Sequence, residues 1–164
     1  MAGYQDAATR WREQRWILDQ VIQTRGIDWD QARTGKILRN CGPGVKDDLQ
    51  EVCGRIQKFA DISREFSRAA VRREEQGKQA EAAGRFGAAR EHYYTASCFY
   101  TNAMWAIYEE RNPQRIAWQE RKRACYDRFI KYAGRPIERV ELSYQGKKIH
   151  AILHLPPDRK QGER

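Results

Sequence analysis

The chain has 164 residues with 31 Lys or Arg against 22 Asp or Glu, a net charge of +9, a charged fraction of 32% and an aromatic fraction of 11%. That length suits one domain with a hydrophobic core that needs no disulfide or metal staple, and the composition excludes a disordered chain. Residues 1–16 are studded with charges and lack an apolar h-region, and no apolar run reaches the roughly 18 residues of a membrane span, so neither a signal peptide nor a membrane partner is expected and the expected location is the cytoplasm.

The first predicted helix runs from near Ala7 to Thr24, with Trp11, Leu18, Val21 and Ile22 on one side and Gly26 as its stop. Asp28 followed by Gln31 resembles a capping box that opens a second helix burying Trp29, Ala32, Ile37 and Leu38. The segment 41–44, Cys-Gly-Pro-Gly, breaks it. A third, long amphipathic helix follows from Val45 to near Gln76-Gly77. Val45, Leu49, Val52, Ile56, Phe59, Phe66 and Ala70 form its apolar stripe, and Asp47 and Asp48 sit in its first turn, where the helix dipole favours acids.

Gly77 to Ser97 resembles one tetratricopeptide-type helical hairpin, with Gly77, Gly84, Phe86, Ala89, Tyr93 and Ala96 at that repeat's small and aromatic positions. No second copy occurs at a 34-residue period, so a solenoid is not expected. The helix from Gly87 to Glu110 is apolar on two sides, along Tyr93, Ala96, Tyr100, Ala103 and Ile107 and along Tyr94, Cys98, Thr101, Trp105 and Tyr108. Such a helix packs in the middle of a structure. Asn112-Pro113 opens a last helix with Trp118, Cys125, Phe129 and Tyr132 on its buried face, ended by Gly134 and Pro136.

The period then changes from helix to strand. Val140, Leu142 and Tyr144 alternate with Glu141 and Ser143, Gln145-Gly146 forms a turn, and Ile149, Ala151, Leu153 and Leu155 share one face of a second strand. The expected fold is mainly α, with five to six packed helices followed by a C-terminal β-hairpin. Its organisation is a helical cap-like unit over 1–135, the hairpin over 136–157 and a polar tail over 158–164.

The polar residues point to no complete reactive centre. Cys41, Cys53, Cys98 and Cys125 form no C-x-x-C pair and match no common zinc spacing, so they read as reduced thiols that behave as small hydrophobes at helix positions. His150 and His154 share one strand face and His92 lies on a helix, which falls short of a metal ligand set. Glu109 and Glu110 are adjacent and point in different directions on a helix. Gly42-Pro43-Gly44 before Val45-Lys46 lacks the spacing of a phosphate loop. No cofactor and no metal are expected. The bases of the run Arg64 to Arg73 and of Arg121 to Arg123 read as solvated helix faces. Glu51 with Arg55 and Asp127 with Lys131 are spaced for pairing along a helix. With acids interleaved among the bases and no recognised motif, a nucleic-acid partner is not expected.

The run Tyr93 to Trp105 (YYTASCFYTNAMW) followed by Glu138 to Pro157 (ERVELSYQGKKIHAILHLPP) resembles the N-terminal part of certain serine α/β-hydrolases. The subgroup is similar to the fermentation/respiration-switch esterases, 2,6-dihydroxypseudooxynicotine hydrolase and fungal pigment-pathway polyketide hydrolases. The resemblance implies a helical cap over an active site, then a strand pair that begins the hydrolase sheet and continues beyond residue 164. It implies three partners: the remainder of the hydrolase domain, a second copy in a homodimer, and a small aromatic or polyketide-like substrate. In that setting Tyr94, Tyr100, Trp105 and Tyr108 are the candidate pocket residues, since an aromatic wall with a few hydroxyls suits a flat substrate. The departure is the chemistry: Ser63, Ser67, Ser97 and Ser143 are the only serines, none lies in a G-x-S-x-G elbow, and no triad residue carries over. No catalytic residue is therefore assigned, and the expected role is a cap that helps form the pocket. The alternative role is a stand-alone tetratricopeptide-like interaction module.

Overall fold

In a computed structural model the described residues are 2–27 and 31–158, without the side chains of 2–8, 11, 12 and 31–33. Six helices precede one antiparallel hairpin: α1 (Ala2–Arg25), α2 (Gln31–Cys41), α3 (Lys46–Arg55), α4 (Phe59–Ala82), α5 (Phe86–Trp105), α6 (Pro113–Lys131), β1 (Ile137–Tyr144) and β2 (Lys147–His154). A short 3-10 turn, Pro43–Val45, links α2 to α3. The expected mainly helical fold with a terminal hairpin is thus the observed one. The capping box at Asp28 and Gln31 and the side chains of Trp11, Trp29 and Ala32 lie outside the described residues, as does the tail over 159–164.

The centre of the fold is an up-down-up bundle. α5 packs along α4 on one side and α6 on the other, and α1, α2 and α3 lie against this bundle. The two-sided apolar character of α5 has this cause. Ala89, Tyr93, Ala96, Phe99, Tyr100 and Ala103 are buried along it, opposite Phe59, Ile62, Phe66 and Ala70 of α4 and Trp118 and Cys125 of α6. Phe66 and Phe99 meet at 6.0 Å between ring centres, and Phe59 meets Trp105 edge-on at 5.5 Å. Both separations fall in the favourable range for aromatic pairs.

The single long helix expected from Val45 to Gln76 is two helices. The chain leaves the helix at Ile56, which is extended (φ −84°, ψ 109°), and re-enters at Phe59. Two carboxylates hold the restart. Asp61 accepts from the backbone N–H groups of Gln57 and Lys58, both at 3.1 Å, and Asp19 of α1 accepts from the Phe59 N–H at 2.7 Å. These satisfy donors that a helix start leaves open. The apolar stripe crosses the break undisturbed because Ile56 and Phe59, three apart, are both buried.

Nor does the helix stop at Gly77. α4 continues to Ala82 and closes with a Schellman turn, in which Arg85 N–H donates to the Ala80 carbonyl at 2.9 Å and Gly84 N–H to Glu81 at 3.0 Å, with Gly84 at φ +70°. A helical hairpin does turn at Gly84, inside the segment 77–97, but its first arm is the long α4 from Phe59 and its second runs on to Trp105, so it is not the short unit expected from Gly77 to Ser97. α5 ends at Trp105, short of the expected Glu110, so Glu109 and Glu110 lie in the connection to α6. Asn112 caps α6 by accepting from Gln114 and Arg115 N–H groups at 2.9 and 3.3 Å.

The arginine run is only partly solvated. Arg64 and Arg68 are exposed beside buried Asp61 and Glu65, but Arg72 and Arg73 reach across to α3. Arg72 pairs with Asp48 and Glu51 at 3.1 and 2.8 Å, and Arg73 pairs with Asp48 and donates to the Gly44 carbonyl at 2.8 Å. Glu51 also pairs with Arg55 as its spacing predicts, at 2.8 Å. Asp127 and Lys131 do not pair: Asp127 binds Arg139 of the hairpin and Lys131 reaches Glu81.

Gly77 explains how α4 and α5 come so close. A Cβ built on it would sit 3.0 Å from Cδ1 and Cε1 of Tyr93, whose hydroxyl is itself held by Glu81 at 2.7 Å. Gly77→Ala is therefore expected to lower stability by about 1–3 kcal/mol through overpacking. Gly35→Ala, in α2 with open space around it, should instead raise stability by about 0.5–1 kcal/mol. Urea unfolding of the two variants checks the opposite signs.

Candidate functional site

Two features stand out from the packed body: a charged groove along α4, α5 and α6, and the hairpin. The groove is built on a seven-residue step that recurs in all three helices. Glu74 accepts from the Tyr100 hydroxyl at 2.8 Å and pairs with Arg121 at 2.8 Å. One heptad on, Glu81 accepts from the Tyr93 hydroxyl at 2.7 Å and pairs with Arg128 at 2.6 Å. Because α5 runs antiparallel to α4, its tyrosines follow in reverse order. Tyr132 also donates to Glu81, Lys131 lies at 3.5 Å from it, and Lys78 lies at 3.1 Å from Glu74. A space of about 460 Å³ lies between these groups, lined by Glu74, Lys78, Glu81, Ala82, Tyr93, Ala124, Cys125 and Arg128.

The surroundings shift the two carboxylates, Tyr93, Tyr100 and Cys125 away from their ordinary values. Hydrogen bonds from Tyr132 and Tyr93 and the charge of Arg128 hold the Glu81 carboxyl down to about 2. Burial works against ionising Glu74, but the Tyr100 and Lys78 hydrogen bonds and the Arg121 charge outweigh it, and its pKa also lies below the ordinary carboxylate value. Burial first, and the carboxylate partner second, push the Tyr93 and Tyr100 hydroxyls well above their usual range. Burial raises the Cys125 thiol to about 12. Near neutrality Glu74 and Glu81 are thus ionised, and the Tyr93 and Tyr100 hydroxyls and the Cys125 thiol keep their protons. None sits near the pKa that general acid–base catalysis requires. The arrangement locks three helices together, and Lys78 and Arg128 face the open space beside Glu74 and Glu81.

The four candidate pocket residues are dispersed, and none lines the 460 Å³ groove. Tyr100 is wholly buried under Arg121, whose guanidinium carbon lies 5.1 Å from the ring centre. Trp105 packs edge-on against Phe59 at the end of α5. Tyr108 lies in the α5–α6 connection, where its carbonyl accepts from Arg115 at 3.3 Å. Tyr94, half-buried, packs on Phe129 and Tyr126 of α6 at ring separations of 4.8 and 6.5 Å. That cluster is the one that reaches the hairpin, through Tyr126 Oη and His154 Nε2 at 3.1 Å. The Glu–Tyr–Arg lattice went unread in the sequence. Its signal was the same heptad step in Glu74 and Glu81, Tyr93 and Tyr100, and Arg121 and Arg128.

The hairpin has the expected alternation. Val140 faces Ala151 and Leu142 faces Ile149, while Glu138 is opposite Leu153 and Tyr144 opposite Lys147. The turn places Gln145 and Gly146 at φ 49° and 72°, the paired positive values of a type I′ turn. Contacts to the body come from the other face, through His154 with Tyr126 and Arg135, and Arg139 with Asp127. Leu155 closes the base, buried and donating to the Pro136 carbonyl at 3.0 Å. Most of the apolar face is left in solvent: Leu142 is 56% exposed, Tyr144 61%, Ile149 46% and Leu153 45%, while Val140 and Ala151 are part-buried. Among the described residues β1 and β2 pair only with each other.

The histidines do not converge. His150 Nδ1 lies 3.3 Å from Glu141, His154 contacts Tyr126 and Arg135, and His92 Nδ1 lies 3.1 Å from an Arg73 nitrogen. Among the described residues no helix is long and apolar enough to cross a membrane. Compared with known proteins, the chain matches no protein-family model and no curated protein sequence.

Glu81 makes the groove sensitive to acid. Its folded pKa of about 2 lies below the ordinary value of 4.5, so the unfolded chain binds more protons between those values and the contribution to stability is lost as pH falls through that window. Glu81→Gln should be less stable than the wild type at pH 7, and the gap should close between pH 4.5 and 2. Thermal unfolding across that range checks this; parallel curves would contradict it.

Proposed function

We propose that this chain is the helical cap and opening β-hairpin of a serine α/β-hydrolase. In this reading it forms part of the substrate pocket while a Ser-Asp-His domain, absent here, hydrolyses an ester or carbon–carbon bond. The observation that carries the reading is the uncovered apolar face of the hairpin. A two-stranded sheet is marginal in water, and a stripe of Leu142, Ile149, Tyr144 and Leu153 gains stability only when further strands and helices cover it. The quoted phrases from Tyr93 to Trp105 and from Glu138 to Pro157 supply the resemblance, and the hairpin's open edges suit the start of a larger sheet. Tyr94 is the best supported of the pocket candidates, because its aromatic cluster borders the hairpin where a cap meets a hydrolase sheet. The cap's work is then to exclude water and select a small aromatic or polyketide-like substrate, in a cytoplasmic enzyme that dimerises through its helical part.

A second reading is a tetratricopeptide-like module that holds a partner peptide. The close approach of α4 and α5 at Gly77 and Tyr93 favours it, and the hairpin has no part in it.

The coding sequence beyond codon 164 separates the two. The hydrolase reading expects an in-frame continuation containing G-x-S-x-G, with 4-nitrophenyl ester hydrolysis by the extended protein that is lost when that serine is replaced. An immediate stop codon would overturn it. The 164-residue chain itself should bind an apolar fluorescent dye, and Leu142→Lys with Ile149→Lys should abolish that binding without shifting the unfolding midpoint.

A further inference from the structure

Arg73 of α4 ties three neighbouring segments together. Its guanidinium pairs with Asp48 of α3, donates to the Gly44 carbonyl in the 3-10 turn at 2.8 Å, and has a nitrogen 3.1 Å from His92 Nδ1 of α5. Arg73 and Asp48 are largely buried and His92 is half-buried. The short α3 is also held by buried Leu49 and Val52 and by the pairs of Arg72 with Asp48 and Glu51.

The contact with His92 fixes which ring nitrogen holds the proton. A guanidinium carries five donors and no acceptor, and it stays charged throughout the range in which proteins fold. Nδ1 must therefore be the lone-pair nitrogen, with the ring proton on Nε2 and the imidazole neutral. A second proton can go only to Nδ1. There it faces an N–H of Arg73, donor against donor and cation against cation.

We propose that Arg73 and His92 form an acid-released latch that holds α3 and the turn before it against the central bundle. While His92 is neutral, one guanidinium serves Asp48, the Gly44 carbonyl and Nδ1 together. Once the ring is doubly protonated it repels Arg73 and competes with it for the Asp48 carboxylate, so the bonds that fasten α3 and Gly44 to α4 weaken. The charges around the ring come from Arg73 of α4, Asp48 of α3, Arg85 of the α4–α5 turn and Glu91 of α5 itself. Burial first and Arg73 second oppose the added proton, Glu91 and Asp48 favour it, Arg85 opposes it, and the His92 pKa lies below the ordinary histidine value. With the arm open and the ring in water, His92 binds protons more readily than with the arm closed. The closed form therefore loses stability as pH falls from the ordinary histidine value towards the lower one. That window lies above the one in which Glu81 titrates. The latch belongs to the helical body and does not depend on the hydrolase reading.

The test is an NMR titration of the folded 164-residue chain between about pH 7.5 and pH 5, the range in which histidine changes charge. At the upper end the His92 ring should be neutral with its proton on Nε2, and it should titrate below the ordinary histidine value. Hydrogen exchange, corrected for its intrinsic pH dependence, should show the α3 amides losing protection severalfold over this range. The ceiling is about 30-fold at pH 5, set by an ordinary histidine pKa of about 6.5. Amides in the middle of α4 and α5 should keep their protection. In His92→Gln, where an amide oxygen can accept from Arg73 without titrating, α3 protection should stay constant. The other two histidines, His150 and His154, both lie on β2, so their titration is read separately in the same sample. Circular dichroism establishes that the variant is folded, and the wild-type titration decides the matter if it is not. A ring protonated on Nδ1 at pH 7.5, a His92 titration at or above the ordinary value, or α3 protection that is constant in the wild type or falls equally in His92→Gln would overturn the latch.

Discussion

The structure depends on how closely α4 and α5 approach. Gly77 leaves room for the ring of Tyr93, and Ala69, Ala70 and Ala80 on one helix and Ala89, Ala96 and Ala103 on the other are buried small residues. Close packing of this kind leaves little tolerance for added volume. It also brings the Tyr93 and Tyr100 hydroxyls to Glu81 and Glu74, the two carboxylates that Arg128 and Arg121 of α6 then reach. One steric permission on α4 thus sets the polar lattice joining all three central helices. Partners surround each half-buried carboxylate, so desolvation is offset by several hydrogen bonds at once.

The hairpin lies outside that logic. Its inner face touches α6 through single polar contacts, Tyr126 to His154 and Asp127 to Arg139, while Leu142, Tyr144, Ile149 and Leu153 of the opposite face are exposed. A helical body with its own core, carrying a sheet fragment that lacks one, is what a cap joined to the start of another domain requires. A free-standing helical module has no use for such a fragment. This contrast, more than any single residue, separates the two proposed functions.

Helices and hairpin were legible because burial follows period. The stripe through Leu49, Val52, Phe66 and Ala70, and the alternation through Val140, Leu142, Ile149 and Ala151, mark their elements without tertiary knowledge. The break between α3 and α4 was not legible, since Ile56 and Phe59 preserve the helical spacing across it. Its cause, the Asp19 carboxylate on the Phe59 N–H, comes from 40 residues away. The end of α5 was hidden for a related reason: Ile107 and Tyr108 continue the apolar pattern after the chain has left the helix. The Glu–Tyr–Arg lattice escaped because charged residues on an amphipathic helix ordinarily face water, and only the antiparallel pairing of α4 and α5 shows that these do not.

Hydrogen exchange resolved to individual amides tests most directly the claim that a complete helical body carries an incomplete sheet. Local stability follows buried apolar contact, so the amides of α4 and α5 should be the slowest, and the cross-strand amides of β1 and β2 should exchange orders of magnitude faster, near the level of fraying ends. Hairpin amides protected as strongly as those of α4 would contradict the account, because the hairpin would then be a fully stabilised part of this domain with no need of a further sheet.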